Sequence, residues 1–180
     1  MALKINEANK NKRWIATNYI NLGIVYDSQK NYDAAIKNYE YALSLYSELK
    51  DKRGMANAYS NLGSAYSDKS KYEEALKKFF LALSLHKEVD NKSGISSTLN
   101  NIGIVYDYQK KYGAALEYYT ASLKIEEELD NKNGMAASHV NLGSLHTSMK
   151  NYKEAQINLN EGLKLAIESE SMDWKQEAYR

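Results

Sequence analysis

A fixed internal period of 40 residues constrains this chain more than any other feature. Asn21-Leu22-Gly23 returns as Asn61-Leu62-Gly63, Asn101-Ile102-Gly103 and Asn141-Leu142-Gly143. Tyr32, Tyr72, Tyr112 and Tyr152 keep the same step, as do Ala35, Ala75, Ala115 and Ala155, and Leu43, Leu83, Leu123 and Leu163. No insertion breaks the register. Self-similarity at this period marks a stack of identical supersecondary units, each unable to bury its apolar face without neighbours.

Each unit reads as two helices. Tyr19, Leu22, Gly23 and Tyr26 fall at i, i+3, i+4 and i+7, one face of a first helix. Tyr32, Ala35, Tyr39, Ala42, Leu43 and Tyr46 give a second apolar face. Between them lies a polar break, so turns are expected near residues 29–31, 69–71, 109–111 and 149–151, and no strand within 14–168. Gly23 and Ala35 are small where the paired helices must approach closely. The column Gly54, Gly94, Gly134 closes each unit, and is expected to serve as the turn glycine, with Ser93 or Asn133 capping the helix that follows. The expected architecture is all-α, a right-handed superhelical solenoid of antiparallel helix pairs. Repeats are placed at 14–53, 54–93, 94–133 and 134–173. Residues 1–13 match the end of a preceding second helix with its turn, and 174–180 the start of a fifth repeat with Tyr179 in the His139 column. Trp14 and Trp174 stand in the glycine column, either covering ends or as divergent copies.

Composition excludes several classes of function. Lys+Arg is 24 and Asp+Glu 23, so the net charge is only +1, without the clustered positive charge that nucleic-acid or anionic-membrane surfaces need. There is no Cys, hence no disulfide frame or thiolate site, and a reducing cytoplasm suits the chain. Apolar runs are far shorter than the roughly 20 residues of a membrane span. The three His are His86, His139 and His146, of which the last two replace core aromatics in their columns. With no phosphate-binding glycine loop and no nucleophile–base arrangement, no catalytic residue, metal or cofactor is expected. Glu126-Glu127-Glu128, near a helix C-terminus, reads as solvated surface, and Lys52, Lys92 and Lys132 as a solubilising edge that could also meet an acidic partner.

The columns resemble the tetratricopeptide repeat family, whose pattern of aromatic-x₂-Leu-Gly-x₂-Tyr, then Ala-x₃-aromatic and a small residue, is met by Tyr19, Leu22, Gly23, Tyr26, Ala35, Tyr39 and Ala42. It is met again by Tyr59, Leu62, Gly63, Tyr66, Ala75, Phe79 and Ala82, and by Leu99, Ile102, Gly103, Tyr106, Ala115, Tyr119 and Ser122. The fourth copy, His139, Leu142, Gly143, His146, Ala155, Leu159 and Gly162, departs furthest. The common repeat has 34 residues and a terminal Pro. The 40-residue form without Pro is similar to kinesin light chain, spindle-orientation adaptors, Rap-type peptide receptors and bacterial sensor arrays.

On a helical wheel Asn21 lies opposite Tyr19, Leu22 and Tyr26, beside Thr17, Ile24 and Ser28. The resemblance implies that this face lines a concave groove, where Asn bonds the backbone of an extended peptide; an amide supplies donor and acceptor together. Carried over, the column is Asn21, Asn61, Asn101 and Asn141, with Thr17, Asn57, Ser97, Ile24, Ser64, Ile104, Asp68, Tyr108 and Ser144 beside it. The Asn could instead bond neighbouring helices and set repeat geometry, and the apolar members, with Ile20 and Val140, could be inter-repeat packing. No Lys or Arg stands on this face to clamp a C-terminal carboxylate. The expectation is therefore a protein–protein interaction module, part of a larger signalling or scaffold protein, binding a protein or peptide and neither nucleic acid nor membrane. End-to-end self-association through incomplete repeats stays open. The alternative is a spacer array that couples other domains and has no groove ligand.

Overall fold

In this computed structural model the backbone is described for residues 2–178 and side chains for 8–169. The elements are α1 (Ala2–Ser28), α2 (Tyr32–Glu48), α3 (Lys52–Asp68), α4 (Tyr72–Glu88), α5 (Lys92–Tyr108), α6 (Tyr112–Glu128), α7 (Lys132–Ser148) and α8 (Tyr152–Ala178). No strand occurs among the described residues, and breaks fall at the four expected turns and, between repeats, at 49–51, 89–91 and 129–131. The chain divides into two compact units, Met1–Gly94 and Ile95–Arg180.

In the first unit α1 packs on α2, α3 on α4, and α2 on α3. One core layer joins Ala35, Ile36, Tyr39, Leu62 and Ala65, and another joins Ala16, Ala42, Tyr46 and Ala58. In the second unit α7 packs on α8 and α6 on α7, around Ala115, Tyr119, Leu142 and Leu145. The helix crossings explain one glycine column. A Cβ on Gly63 would stand 2.6 Å from Phe79 Cε1, and one on Gly103 2.6 Å from Tyr119 Cδ1.

The other glycine column corrects the sequence reading. Gly54, Gly94 and Gly134 lie inside the first turns of α3, α5 and α7, and no glycine has positive φ among the described residues. They are small because a side chain sits where a Cβ would go: a Cβ on Gly54 would stand 2.3 Å from Tyr46 Cδ1. The left-handed turn residue is instead Lys30, Lys50, Ser70, Asp90, Lys110, Asp130 or Lys150. Each closes a Schellman motif, as in Lys30 N–H to Asp27 C=O (2.8 Å) and Asn31 N–H to Tyr26 C=O (2.8 Å). The caps are likewise displaced from Ser93 and Asn133. Asp51, Asn91 and Asn131 accept from the N–H of Gly54, Gly94 and Gly134 at 3.1, 3.1 and 3.2 Å.

The turn expected near residues 11–13 is absent, since α1 is continuous from Ala2 to Ser28, and α8 likewise runs unbroken to Ala178. A turn forfeits helical hydrogen bonds, and a continuous helix keeps them. Trp14 is 67% exposed. The side chain of Trp174 and all of Tyr179 lie outside the described residues. The turn lysines are tied rather than loose: Lys52 pairs with Glu88 at 2.9 Å and Lys132 with Glu168 at 2.7 Å.

Candidate functional site

Helical geometry gathers the candidate residues into stripes. On α3, Asn57, Asn61, Ser64 and Asp68 are spaced i, i+4, i+7, i+11, a single line along one face. The residues that pack α3, including Ala58, Leu62 and Ala65, occupy the remaining circumference and are fully buried. Asn57 and Asp68 are exposed, and Asn61 and Ser64 half-buried. On α1 the same line holds Thr17, Asn21, Ile24 and Ser28, all exposed. In the second unit α5 carries Ser97, Asn101, Ile104 and Tyr108, and α7 carries Ala137, Asn141, Ser144 and Ser148.

Hydrogen bonding separates these residues. Asn21, Asn61 and Asn101 spend no carboxamide group on another described residue, whereas Asn141 Nδ2 donates to Asn100 Oδ1 at 2.7 Å. Asn141 thus ties α7 to α5. Thr17 is also engaged: its hydroxyl donates to Arg13 C=O at 3.0 Å and lies 3.1 Å from the Tyr46 hydroxyl. The apolar members divide too. Ile104 packs against the core layer of the second unit, and Ile20 against both layers of the first. Ile24, Tyr108 and Val140 stay about half exposed, at 49%, 59% and 47%. Partial desolvation of the Asp68 carboxyl raises its pKa, although the residue as a whole is exposed. Asp27 is raised as well, first by burial and then by the charge of Asp68.

Two of the three histidines make side-chain contacts, while His146 Nδ1 is buried with no hydrogen-bond partner among the described residues. His139 Nδ1 lies 3.0 Å from Asn158 Oδ1, and His86 is buried with Nδ1 3.0 Å from Asn91 Nδ2. No group of three or more His, Asp or Glu able to hold a metal occurs among the described residues. No helix among them is long and apolar enough to cross a membrane. The tyrosine columns serve contacts between helices, with Tyr19 stacked on Tyr41 and Tyr106 on Tyr118, each at 5.4 Å.

One cluster lay hidden in the sequence. A cavity of about 330 Å³ in the second unit is lined from α5, α6, α7 and the turn before α7, with Glu126 among its walls. Glu126, expected on the solvated surface, is only 6% exposed. Its place 40 residues after His86 and 80 after Tyr46, both buried, was the available signal.

Helix pairs at a constant period, with no strand among the described residues, define an all-α helical-repeat solenoid, a class whose stacked repeats create extended binding surfaces. Tetratricopeptide repeat models match residues 16–49, 54–128 and 94–168. The chain belongs to the tetratricopeptide repeat family and is a protein-interaction module of that kind. Solved structures with the same fold include BtubC (BKLC) from P. vanneervenii, 20% identical over 86% of this chain and 64% of that one, with a TM-score of 0.76. The apo form of RapI is 22% identical over 92% of this chain and 60% of that one (TM-score 0.79). A Rap protein complexed with competence and sporulation factor is 20% identical over 86% and 43% (TM-score 0.80). The chain thus spans less than two thirds of the length of each of these structures. No curated protein sequence matches it.

Proposed function

We propose that the polar stripes of the first helices receive extended peptide main chain, and that the carboxamides of Asn21, Asn61 and Asn101 bond it. The observation that carries this reading is the state of these three carboxamides: they lie on the accessible line of their helices, and no described side chain or main-chain group uses them. A carboxamide left to water is ready to exchange that water for a peptide N–H and C=O. Exposed Ile24 and Tyr108 supply apolar contact beside them. The Rap structure solved with competence and sporulation factor supports the reading by analogy of fold. A larger signalling or scaffold protein, working in the cytoplasm, is the setting we infer for such a module.

The alternative, an array that spaces other domains, draws support from Asn141, whose bond to Asn100 is internal glue. The two readings part in one experiment. Peptides selected from a displayed random library on the wild-type chain are titrated into the Asn61→Ala/Asn101→Ala variant. Two lost hydrogen bonds at about 0.5–1.5 kcal/mol each weaken binding roughly 5- to 150-fold. The melting temperature should hardly move. Failure to select any peptide, or unchanged affinity together with a much lower melting temperature, overturns the peptide reading in favour of the spacer.

A further inference from the structure

We infer that the cavity of the second unit is a pocket for a cationic side chain, a guanidinium or ammonium group, presented by the chain that the first helices receive; this rests on the peptide reading above and names one of its anchors.

The pocket exists because one layer of the repeat departs from its columns. At the position of Ser96 the other copies have Ala16, Ala56 and Ala136. At that of Ser122 they have Ala42, Ala82 and Gly162, and at that of Glu126 they have Tyr46, His86 and Ala166. The first two copies close this layer with two alanines and a ring, and the fourth with Ala136, Gly162 and Ala166. Here two hydroxyls and a carboxylate replace them together, although residues 96, 122 and 126 come from two different helices. All three are buried, at 1%, 1% and 6% exposure.

The three groups meet. Ser96 Oγ lies 3.0 Å from Ser122 Oγ, and the Ser122 hydroxyl donates to Ser96 C=O at 3.0 Å. Ser96 also donates to Glu126 Oε1, and Asn131 Nδ2 donates to Glu126 Oε2 at 2.7 Å. Yet no Lys, Arg or His pairs with Glu126 among the described residues, and none lines the cavity. Two neutral donors satisfy part of a carboxylate's hydrogen-bonding capacity and leave its charge uncompensated. Buried charges in proteins are otherwise paired or bound to a cation. The missing positive charge is what the cavity is shaped to admit.

The walls agree with that occupant. Buried Ser96, Ser122, Glu126 and Ser138 form the floor, while exposed Ser97 and half-buried Asn100 and Asn101 form the rim. Serine hydroxyls and asparagine carbonyls accept from the N–H groups of a guanidinium or ammonium. About 330 Å³ is at the lower end of ligand-site volumes and suits one side chain. The rim residues Ser97 and Asn101 belong to the α5 stripe, so a peptide held there would place a side chain directly over the opening.

The test uses N-acetyl-arginine N-methylamide, with its uncharged citrulline counterpart as control, titrated into isotopically labelled full chain. The readout is the NMR signals of Gly134 N–H, the Asn131 side-chain amide and Ser122 N–H. Expected are saturable shifts with the arginine amide, none with citrulline, and affinity lowered on the order of 30-fold or more in Glu126→Gln, since loss of one buried charge partner typically costs that much. Should Glu126→Gln not fold, Ser96→Ala/Ser122→Ala/Glu126→His rebuilds the layer that Ala56, Ala82 and His86 already form in this chain, and the same loss is expected there. No shift in the wild type, equal shifts with citrulline, or undiminished binding in the variant overturns the pocket. None of these outcomes depends on peptide selection or on Asn61, so failure of the pocket and failure of the peptide reading are told apart.

Discussion

Substituting Gly63 by alanine separates two accounts of the repeat glycines. In an unencumbered helix the change stabilises, by about 0.5–1 kcal/mol, because alanine loses less backbone entropy. At Gly63 the added Cβ would stand 2.6, 2.7 and 2.9 Å from Phe79 Cε1, Cδ1 and Cγ, where ordinary contact begins at 3.4 Å. Phe79 is 1% exposed and has nowhere to swing without disturbing the α3–α4 crossing. Overpacking of this kind costs typically 1–3 kcal/mol, and three overlapping ring atoms argue for the upper end. The net is a loss of roughly 2 kcal/mol, or about 4–8 °C in melting temperature for a chain of this size. Gly113, with nothing within 4 Å of its would-be Cβ, is the internal control. Gly113→Ala should raise the melting temperature by a few degrees. A Gly63→Ala/Phe79→Ala cycle should give a coupling of about 1–3 kcal/mol, since the truncated ring no longer meets the methyl. Thermal and urea unfolding of the four proteins in that cycle measure all of this. Stabilisation by Gly63→Ala, or additivity within about 0.5 kcal/mol, would refute the close-approach account.

Leu62→Ala should cost about 2–5 kcal/mol, while Leu22→Ala in the same column should cost well under half of that, because Leu62 is fully buried and Leu22 is 42% exposed; urea midpoints decide. Lys110→Gly should stabilise by about 1 kcal/mol, measured by thermal melts, since Lys110 holds φ at 59° in the left-handed region and its glycine equivalent would not be strained. Burial holds the His86 imidazole below its ordinary value of 6.5, so the unfolded chain takes up a proton first. Stability should therefore be full above about pH 6.5 and fall as the pH drops toward the depressed folded value, and this acid limb should shrink in His86→Tyr, followed by melts between pH 5 and 8.

Most of the fold was legible because period, register and small-residue columns are properties of the string itself. What the string does not say is why a column is small. Glycine at 54, 94 and 134 has the same signature whether a left-handed turn or a side chain at close range demands it. Only the placement of Tyr46, His86 and Glu126 above those positions decides for close range. The left-handed residues fall in two columns, Lys30, Ser70, Lys110 and Lys150, and Lys50, Asp90 and Asp130, and neither holds the glycine that would mark a positive φ in the sequence. The caps Asp51, Asn91 and Asn131 were present in the sequence three residues ahead of each glycine, and reading the glycine as the turn moved the cap to the wrong side of it. Among the site residues, the wheel placed the Asn column on the open face of each helix, but it could not foresee that Asn141 meets Asn100, which stands 41 residues away.

The cluster around Glu126 was missed for a related reason, and it indicates where such arrays hold chemistry. Read along the chain, Glu126-Glu127-Glu128 is a run of acids near a helix end, and runs of that kind are normally solvated. Read down the columns, Glu126 follows Tyr46 and His86 into a buried position, and Ser96 and Ser122 break two alanine columns in the same layer. A solenoid can accommodate such a break because its stability is close to a sum of repeat and nearest-neighbour terms. One polar layer weakens its own repeat, while the alanine layers at Ala16–Ala42 and Ala56–Ala82 continue to hold theirs. A single-core domain of equal size would spread the same cost over the whole structure. In a repeat protein, then, the columns that agree describe the scaffold, and coincident departures from them in one layer are where a ligand contact can be built without dismantling the rest.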